Sequence, residues 1–114
     1  MSLPHISIEE FQRLEMRVGR IVGVDPFPEA RKPAYKLRID FGPDLGIKHS
    51  SAQLTALYTQ EDLLNRLVVG VVNFPPRRVA GFSSEVLVLG APDEQGSVVL
   101  LEPERDVPLG SRVF

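Results

Sequence analysis

The sequence contains no cysteine and no tryptophan, and only two histidines, among 114 residues. The absence of cysteine excludes disulfides, thiolate zinc sites, iron–sulfur clusters and cysteine nucleophiles. No apolar run approaches the ~20 residues that span a bilayer. Residues 1–8 lack the basic start and apolar core of a signal peptide. We therefore expect a cytoplasmic protein.

The composition is that of an ordinary globular chain, with 43% hydrophobic and 25% charged residues. One domain is expected at this length. The net charge of −2 hides an uneven distribution, because residues 31–78 carry eight cations against four anions, a net of +4. Both flanking segments are acidic. The excess could form an anion-attracting face, or it could simply belong to a solvated surface of mixed charge.

Few residues in the sequence could support catalysis. His49 precedes Ser50 and Ser51, but neighbouring residues on a strand point to opposite faces, so His49 and Ser50 would not meet. His5 and His49 are isolated, and no carboxylate cluster has metal-ligand spacing. No P-loop or dinucleotide fingerprint is present. We expect no enzymatic activity, no metal and no cofactor.

Two capping boxes predict short helices. Ser7 is followed three residues later by Glu10, and Ile8, Phe11 and Leu14 then form one apolar stripe. Thr59 with Asp62 predicts a second helix before residue 67. Helices of two turns are not stable alone in water, so both must pack on another surface.

Most of the remaining sequence predicts strands. Residues 35–41 alternate apolar and polar without interruption, which indicates a half-buried strand. Gly19 and Gly23 suggest a bend or bulge in the strand before it. Proline-rich loops are expected at 25–34 and 74–83. The predicted strands are 17–24, 35–41, 45–53, 67–72, 85–89, 97–101 and a last short strand at 111–114. A hairpin at 93–96 is expected to join the strands 85–89 and 97–101.

This order is that of a mainly β, five-stranded OB-fold Greek-key barrel with a short N-terminal helix and a C-terminal hairpin extension. OB folds bind ligands on the face of strands 2 and 3 and with the loops after strands 1 and 4. These elements carry most of the middle excess of positive charge, so the charge is expected to converge on the ligand side. The cations concerned are Arg31, Lys32, Lys36, Arg38, Lys48, Arg77 and Arg78.

Aromatic residues lie in or beside the same loops. Phe27, Tyr35, Phe74 and Phe82 could stack on unpaired bases or contact apolar peptide side chains. Tyr35 and Phe82 could equally be core residues.

Five stretches of sequence resemble a known family. They are Phe27-Pro-Glu-Ala-Arg-Lys-Pro-Ala-Tyr-Lys-Leu, Ile39-Asp-Phe-Gly, Ser50-Ser-Ala-Gln-Leu-Thr, Val72-Asn-Phe-Pro-Pro-Arg and Ser84-Glu-Val-Leu-Val-Leu-Gly. They are similar to the CsaA family of bacterial secretion chaperones, within the broader family of tRNA-binding OB domains. The resemblance implies a non-enzymatic homodimer that binds unfolded or exported preproteins together with the Sec export motor.

The chain departs from the broader tRNA-binding pattern at two places. Phe27 stands where that pattern has a histidine, and residues 31–34 are inserted before Tyr35. Val86-Leu87 replaces a Gly-Met pair, and a branched aliphatic stacks on a base less readily than methionine. Both departures favour apolar side chains as ligands, while structure-selective tRNA binding stays the alternative.

We therefore predict a groove that holds extended apolar-basic peptides, or alternatively tRNA phosphates. Its predicted residues are Arg31, Lys32, Tyr35, Lys36, Lys48, Ser50, Asn73, Phe74, Pro75, Pro76, Arg77, Arg78, Ser84 and Glu85. The N- and C-terminal segments are expected to form a dimer interface through Ile8, Phe11, Leu14 and Phe114. The alternative for the first helix is that it plugs its own barrel end.

Overall fold

The computed structural model describes residues 2–114, which form a mainly β protein with two short helices. No helix within these residues is long and apolar enough to cross a membrane. In chain order the elements are α1 (Ile8–Gln12), β1 (Met16–Pro26), β2 (Tyr35–Asp40), β3 (Ile47–Ala52), α2 (Gln60–Leu63), β4 (Leu67–Val71), β5 (Arg77–Val79), β6 (Phe82–Ser84), β7 (Leu87–Val88), β8 (Gly90–Pro92) and β9 (Val98–Leu100).

Five of the strands form an antiparallel sheet with the order β3-β2-β1-β4-β7. The two ends of this sheet meet. The Glu85 amide donates to the carbonyl of His49 at 2.8 Å, and Ser50 Oγ donates to the carbonyl of Val86 at 2.7 Å. The result is a nearly closed five-stranded barrel, which confirms the predicted OB fold.

The barrel core is built from the alternation of β2. Leu37 and Ile39 are fully buried, and Phe41 continues the same face just beyond the strand. Ile21 of β1 and Val68 of β4 complete the centre. Apolar burial of this kind is the main force that holds the barrel together.

Glycine permits a close approach within the barrel wall. A Cβ on Gly19 would lie 2.7 Å from Ile39 Cγ2 and 2.8 Å from the Phe41 ring. The β1–β2 register shifts between Ile21 and Gly23, which confirms the predicted bulge. The glycines of β1 therefore serve packing and curvature.

Both capping boxes form as predicted. Ser7 caps α1 with Glu10, and Thr59 caps α2 with Asp62. Leu63 of α2 is fully buried in the core, whereas α1 buries none of its residues. The first helix therefore does not plug its own barrel end.

The predicted loop 74–83 contains a hairpin, formed by β5 and β6. Its turn residues Ala80 and Gly81 both have positive φ, at 47° and 81°. Such mirror-image turns match the twist of paired strands. A tight turn therefore lies where proline content predicted only irregular chain.

The C-terminal third follows the prediction in part. The strand expected at 85–89 shrinks to β7, because residues 85 and 86 bond to β3. The hairpin around 93–96 is confirmed and joins β8 to β9. The strand predicted at 111–114 is an isolated bridge between Arg17 and Arg112, and the Val113 amide also donates to the Met16 carbonyl at 2.8 Å.

Candidate binding groove

A surface groove of about 460 Å³ runs along the hairpin side of the barrel. We call it the apolar groove. Phe74 and Leu87 contribute large apolar side chains that are 45% and 52% exposed. Its lining residues are Ser51, Phe74, Pro75, Pro76, Arg77, Val79, Ser84, Glu85, Val86 and Leu87.

Local sequence explains why this groove is preformed. Pro75 and Pro76 follow β4, fix their own φ angles and present ring carbons without an amide donor. Asn73 anchors the start of this segment, since its Oδ1 accepts from the Glu15 amide at 3.0 Å and its Nδ2 donates to the Arg13 carbonyl at 2.8 Å. Asn73 therefore positions the groove.

The opposite wall is held against β3. Ser84 Oγ accepts a 2.9 Å hydrogen bond from the Ser51 amide. Glu85 Oε1 accepts from the His49 amide at 2.9 Å and lies 3.3 Å from His49 Nδ1. The His49 amide is the main reason that the pKa of the Glu85 carboxyl lies below its usual value. An oriented carboxylate therefore stands on the rim.

A second concavity, of about 870 Å³, adjoins the first. We call it the basic basin, since four of its lining residues are cationic. Ser51, Arg77 and Val79 line both cavities, so the two are continuous. The lining of the basic basin consists of Ala30, Arg31, Lys32, Ala34, Ser51, Gln53, Arg77, Arg78, Val79 and Ala80.

Lys36 lies against aromatic rings. Its Nζ is 4.8 Å from the centroid of Phe27 and 5.4 Å from that of Phe82. The two rings pack edge-on at 5.5 Å, and Phe82 also contacts the His49 ring at 6.0 Å. Phe27 is buried and Phe82 is half-buried. These aromatics therefore hold a lysine in place by cation–π attraction.

The structure brings most of the predicted groove residues together. The following nine line the apolar groove or the basic basin: Arg31, Lys32, Phe74, Pro75, Pro76, Arg77, Arg78, Ser84 and Glu85. Lys36, Lys48 and Asn73 lie outside both linings, although the charge of Lys48 contributes to the lowered pKa of Glu85. The Asn73 side chain is bonded to the Glu15 amide and the Arg13 carbonyl instead.

Two predicted groove residues are corrected. Tyr35 packs against the core and donates through its hydroxyl to the Tyr58 carbonyl at 2.9 Å. Ser50 is 1% exposed and donates to the Val86 carbonyl. Both side chains project inward from their strands and make hydrogen bonds inside the barrel, so they do not line the groove. The Ser50 hydroxyl is bonded to the Val86 carbonyl, whereas the His49 ring lies beside the Glu85 carboxylate, so the two side chains do not form a serine–histidine pair.

Sequence reasoning left Ser51, Val79 and Leu87 out of the site. Leu87 carried a usable signal, since it occupies the position of the methionine in the broader family pattern. Val79 lies in β5, where the sequence predicts only a loop. No cluster of three or more metal-ligating side chains occurs within residues 2–114.

Comparison with known proteins places this geometry in a family. The family model "Putative tRNA binding domain" matches residues 16–112. The chain belongs to the tRNA-binding domain family. Within that family it is similar to the crystal structure of chaperone CsaA from Bacillus anthracis, with 50% identity and a TM-score of 0.91 over 97% of this chain and 100% of that one. The CsaA chaperone of Picrophilus torridus gives 47% identity and a TM-score of 0.90 over 96% and 100%.

Curated relatives of this family are much longer. Methionine–tRNA ligase of Thermococcus onnurineus is 37% identical over 109 residues, which is 96% of this chain but 14% of the ligase. The chain thus spans about one seventh of the curated relatives it matches. The matched part corresponds to the tRNA-binding domain family, and the CsaA chaperones are matched along their whole length.

Proposed function

We propose that the protein is a non-enzymatic, chaperone-like binding protein that holds extended segments of unfolded or export-destined proteins. The observation that carries this proposal is the apolar groove, where Phe74, Pro75, Pro76 and Leu87 are exposed side by side. Exposed contiguous apolar surface of this kind marks an interaction site. The similarity to CsaA chaperones supports the same function.

The groove suits weak binding that tolerates many sequences. Apolar burial has no directional requirement, so different aliphatic and aromatic side chains can occupy the same surface. Its polar lining residues are Ser51, Arg77, Ser84 and Glu85, and the side chains of Ser84 and Glu85 are already bonded to β3. We place this activity in the cytoplasm, on preproteins that are passed to the Sec export motor. Co-sedimentation of that motor with the protein and an unfolded preprotein tests the link.

We propose further that the protein acts as a homodimer. Ile8 is 69% exposed and Phe114 is fully exposed, while Phe11 and Leu14 are half-buried. The guanidinium of Arg112 donates to the Gln12 carbonyl, which holds α1 beside the C-terminal segment. The two terminal segments thus offer one apolar surface for an identical copy. Two grooves on one dimer would bind a long chain with a gain in effective concentration.

Structure-selective tRNA binding is the second candidate function. Membership of the tRNA-binding domain family favours it, as do the cations of the basic basin. Arg31, Lys32, Arg77 and Arg78 would contact phosphates, and Lys36 matches the basic position of the family pattern. The rings of Phe27 and Phe82 are packed against each other, which leaves them less suited to stack on a base.

Titration of labelled tRNA and of an unfolded-peptide array at two salt concentrations separates the two functions. Phosphate contacts make affinity fall steeply with salt, whereas apolar peptide binding changes little or strengthens. The chaperone proposal requires salt-tolerant peptide binding that Phe74→Ala weakens. Under the tRNA alternative, Lys36→Ala abolishes tRNA binding, with Arg105→Ala, in a separate concavity, as the control. Failure of the peptides to bind at either salt concentration rules out the first proposal.

A further inference from the structure

The apolar groove and the basic basin form one continuous surface. Ser51, Arg77 and Val79 line both, so they form the boundary between the two. An extended chain advances by about 3.3 Å per residue. A short segment whose apolar side chains lie in the groove therefore brings its next few residues alongside the cations of the basin.

The cations of the basin are not neutralised within the protein. Each ion pair within residues 2–114 lies elsewhere, as in Arg17 and Arg112 with Glu15, or Arg38 with Asp25. Among the basin's cations, Arg78 donates to the Gly81 carbonyl inside its own hairpin. Five arginines elsewhere have an acidic partner, so four of the eight lysines and arginines without an ion pair within residues 2–114 line the basin.

Acidic side chains are scarce around this surface. Glu29 is exposed on the loop that carries Arg31 and Lys32. Glu85 lines the apolar groove but not the basin, and its carboxylate is bonded to His49. The four basin cations therefore outnumber the nearby anions, and the potential at the basin is positive. A basic segment placed there would be repelled.

We propose that the surface selects extended polypeptide segments in which apolar side chains are flanked by acidic ones. The apolar residues occupy the groove, and the carboxylates contact the guanidinium and ammonium groups of the basin. Arginine binds carboxylates in a planar, two-bond geometry, which adds orientation to charge attraction. This inference rests on the proposed chaperone function, and it reverses the charge expected of clients from the sequence, which predicted apolar-basic peptides.

Three labelled peptides with one shared apolar centre test this inference. The centre is flanked on both sides by three glutamates, three glutamines or three lysines, so that either chain direction is tested. Dissociation constants are measured by fluorescence anisotropy at low and high salt. At low salt we expect the acidic peptide to bind roughly tenfold more tightly than the basic one, from two or three exposed charge contacts. The difference should shrink at high salt because exposed charges are screened.

A charge-matched pair of variants localises the effect. R31Q/K32Q removes two of the four basin cations and should bring the dissociation constants of the acidic and basic peptides closer together. R20Q/R105Q removes two cations from a separate concavity and should keep the preference. Thermal unfolding first confirms that both variants fold. Loss of the preference in both variants would mean that net charge alone acts, and the inference would be overturned.

The outcomes also separate this inference from the proposed function. Equal binding of all three peptides, or tightest binding of the lysine peptide, rejects the charge selection while the chaperone function stands. No binding of any peptide rejects both. If an RNA oligonucleotide binds instead, and R31Q/K32Q weakens it while Phe74→Ala does not, the basin serves phosphates and the inference fails.

Discussion

Ser50 Oγ donates a 2.7 Å hydrogen bond to the carbonyl oxygen of Val86, and both residues are buried. This bond joins β3 to the segment that leads into β7, and the Glu85 amide reinforces it by donating to the His49 carbonyl. The groove residues Ser84, Glu85 and Leu87 flank the same junction. Barrel closure and groove shape therefore depend on the same contact.

Replacement of Ser50 by alanine should destabilise the barrel. The Val86 carbonyl would lose its buried donor, and an unsatisfied buried polar group costs about 1–3 kcal/mol. Ser83→Ala is the control, because Ser83 is exposed on β6. Urea unfolding of both variants gives the two free energies of unfolding. Equal stability of the two variants would show that closure does not depend on this hydroxyl.

Alanine at Gly19 should cost about 1–3 kcal/mol by overpacking, since its Cβ would collide with Ile39 and Phe41 in the core. Gly23 offers a matched comparison on the same strand. There a Cβ would meet only the Arg38 guanidinium, at the end of an exposed side chain that can move away. The midpoint temperature of thermal unfolding of Gly23→Ala should therefore be well above that of Gly19→Ala. The reverse order of midpoints would contradict the packing of Gly19 against Ile39 and Phe41.

Glu85→Gln should change how stability depends on pH. The pKa of Glu85 is lower in the folded protein than its ordinary value, chiefly because the His49 amide donates to the carboxylate. The ionised carboxylate therefore stabilises the fold above the unfolded pKa of about 4.3, and this stabilisation is lost as pH falls through the folded value.

The free energy of unfolding of the wild type should thus exceed that of Glu85→Gln at pH 7, and the two should converge as pH falls through the folded pKa of Glu85. The difference at pH 7 should be small because the side chain is partly exposed and screened. Glu94→Gln, at an exposed turn position, serves as the control for loss of one negative charge. A wild-type minus variant difference that stays constant with pH would argue against the hydrogen bond.

A charge placed on α1 should disrupt the proposed dimer. Ile8→Glu would put a carboxylate into an apolar interface, where an unpaired charge is costly. Analytical ultracentrifugation at micromolar concentration should show a dimer for the wild type and a monomer for the variant. Leu57→Glu, at an exposed leucine distant in sequence from both terminal segments, is expected to stay dimeric. A wild type that sediments only as a monomer removes the dimer from the proposed function.

The sequence predicted best those elements whose signals are local. The capping boxes at Ser7 and Thr59 depend on side chains three residues apart, and both formed. The uninterrupted alternation of residues 35–41 predicts β2 and three of the nine residues in the buried core cluster. Each of these patterns depends only on residues within one helix or strand, so contacts with the rest of the chain do not change the element that it predicts.

The β5–β6 hairpin could not be predicted from local signals. Each strand has three residues with no apolar alternation, and the turn is Ala80-Gly81. Asn-Gly or Asp-Gly is the usual signal for a turn with two positive φ angles, and alanine rarely adopts one. The sequence therefore predicts only a loop at 74–83 and does not identify Val79 as a groove residue.

The two corrected site residues have different causes. β3 lacks apolar alternation, so its sequence does not show which face is inward, and Ser50 was placed in the groove. The register supplies what was missing, because Ser50 pairs with the buried Leu37. The sequence allows Tyr35 to lie either on the apolar face of β2 or in the groove. The hydrogen bond that its hydroxyl donates to the Tyr58 carbonyl shows that the side chain lies in the interior.

The β5–β6 hairpin forms a two-stranded sheet of its own and is attached to the barrel through β6, where Ser84 accepts from the Ser51 amide and the Phe82 ring packs on Phe27 and His49. Arg77, Arg78 and Ser83 are exposed, and none of the hairpin residues belongs to the barrel core. Substitutions here can therefore alter what the surface recognises at little cost to folding. The fold thus keeps the residues that build the barrel apart from exposed positions that face a ligand, and a library confined to Arg77, Arg78 and Ser83 is the natural way to retarget the protein.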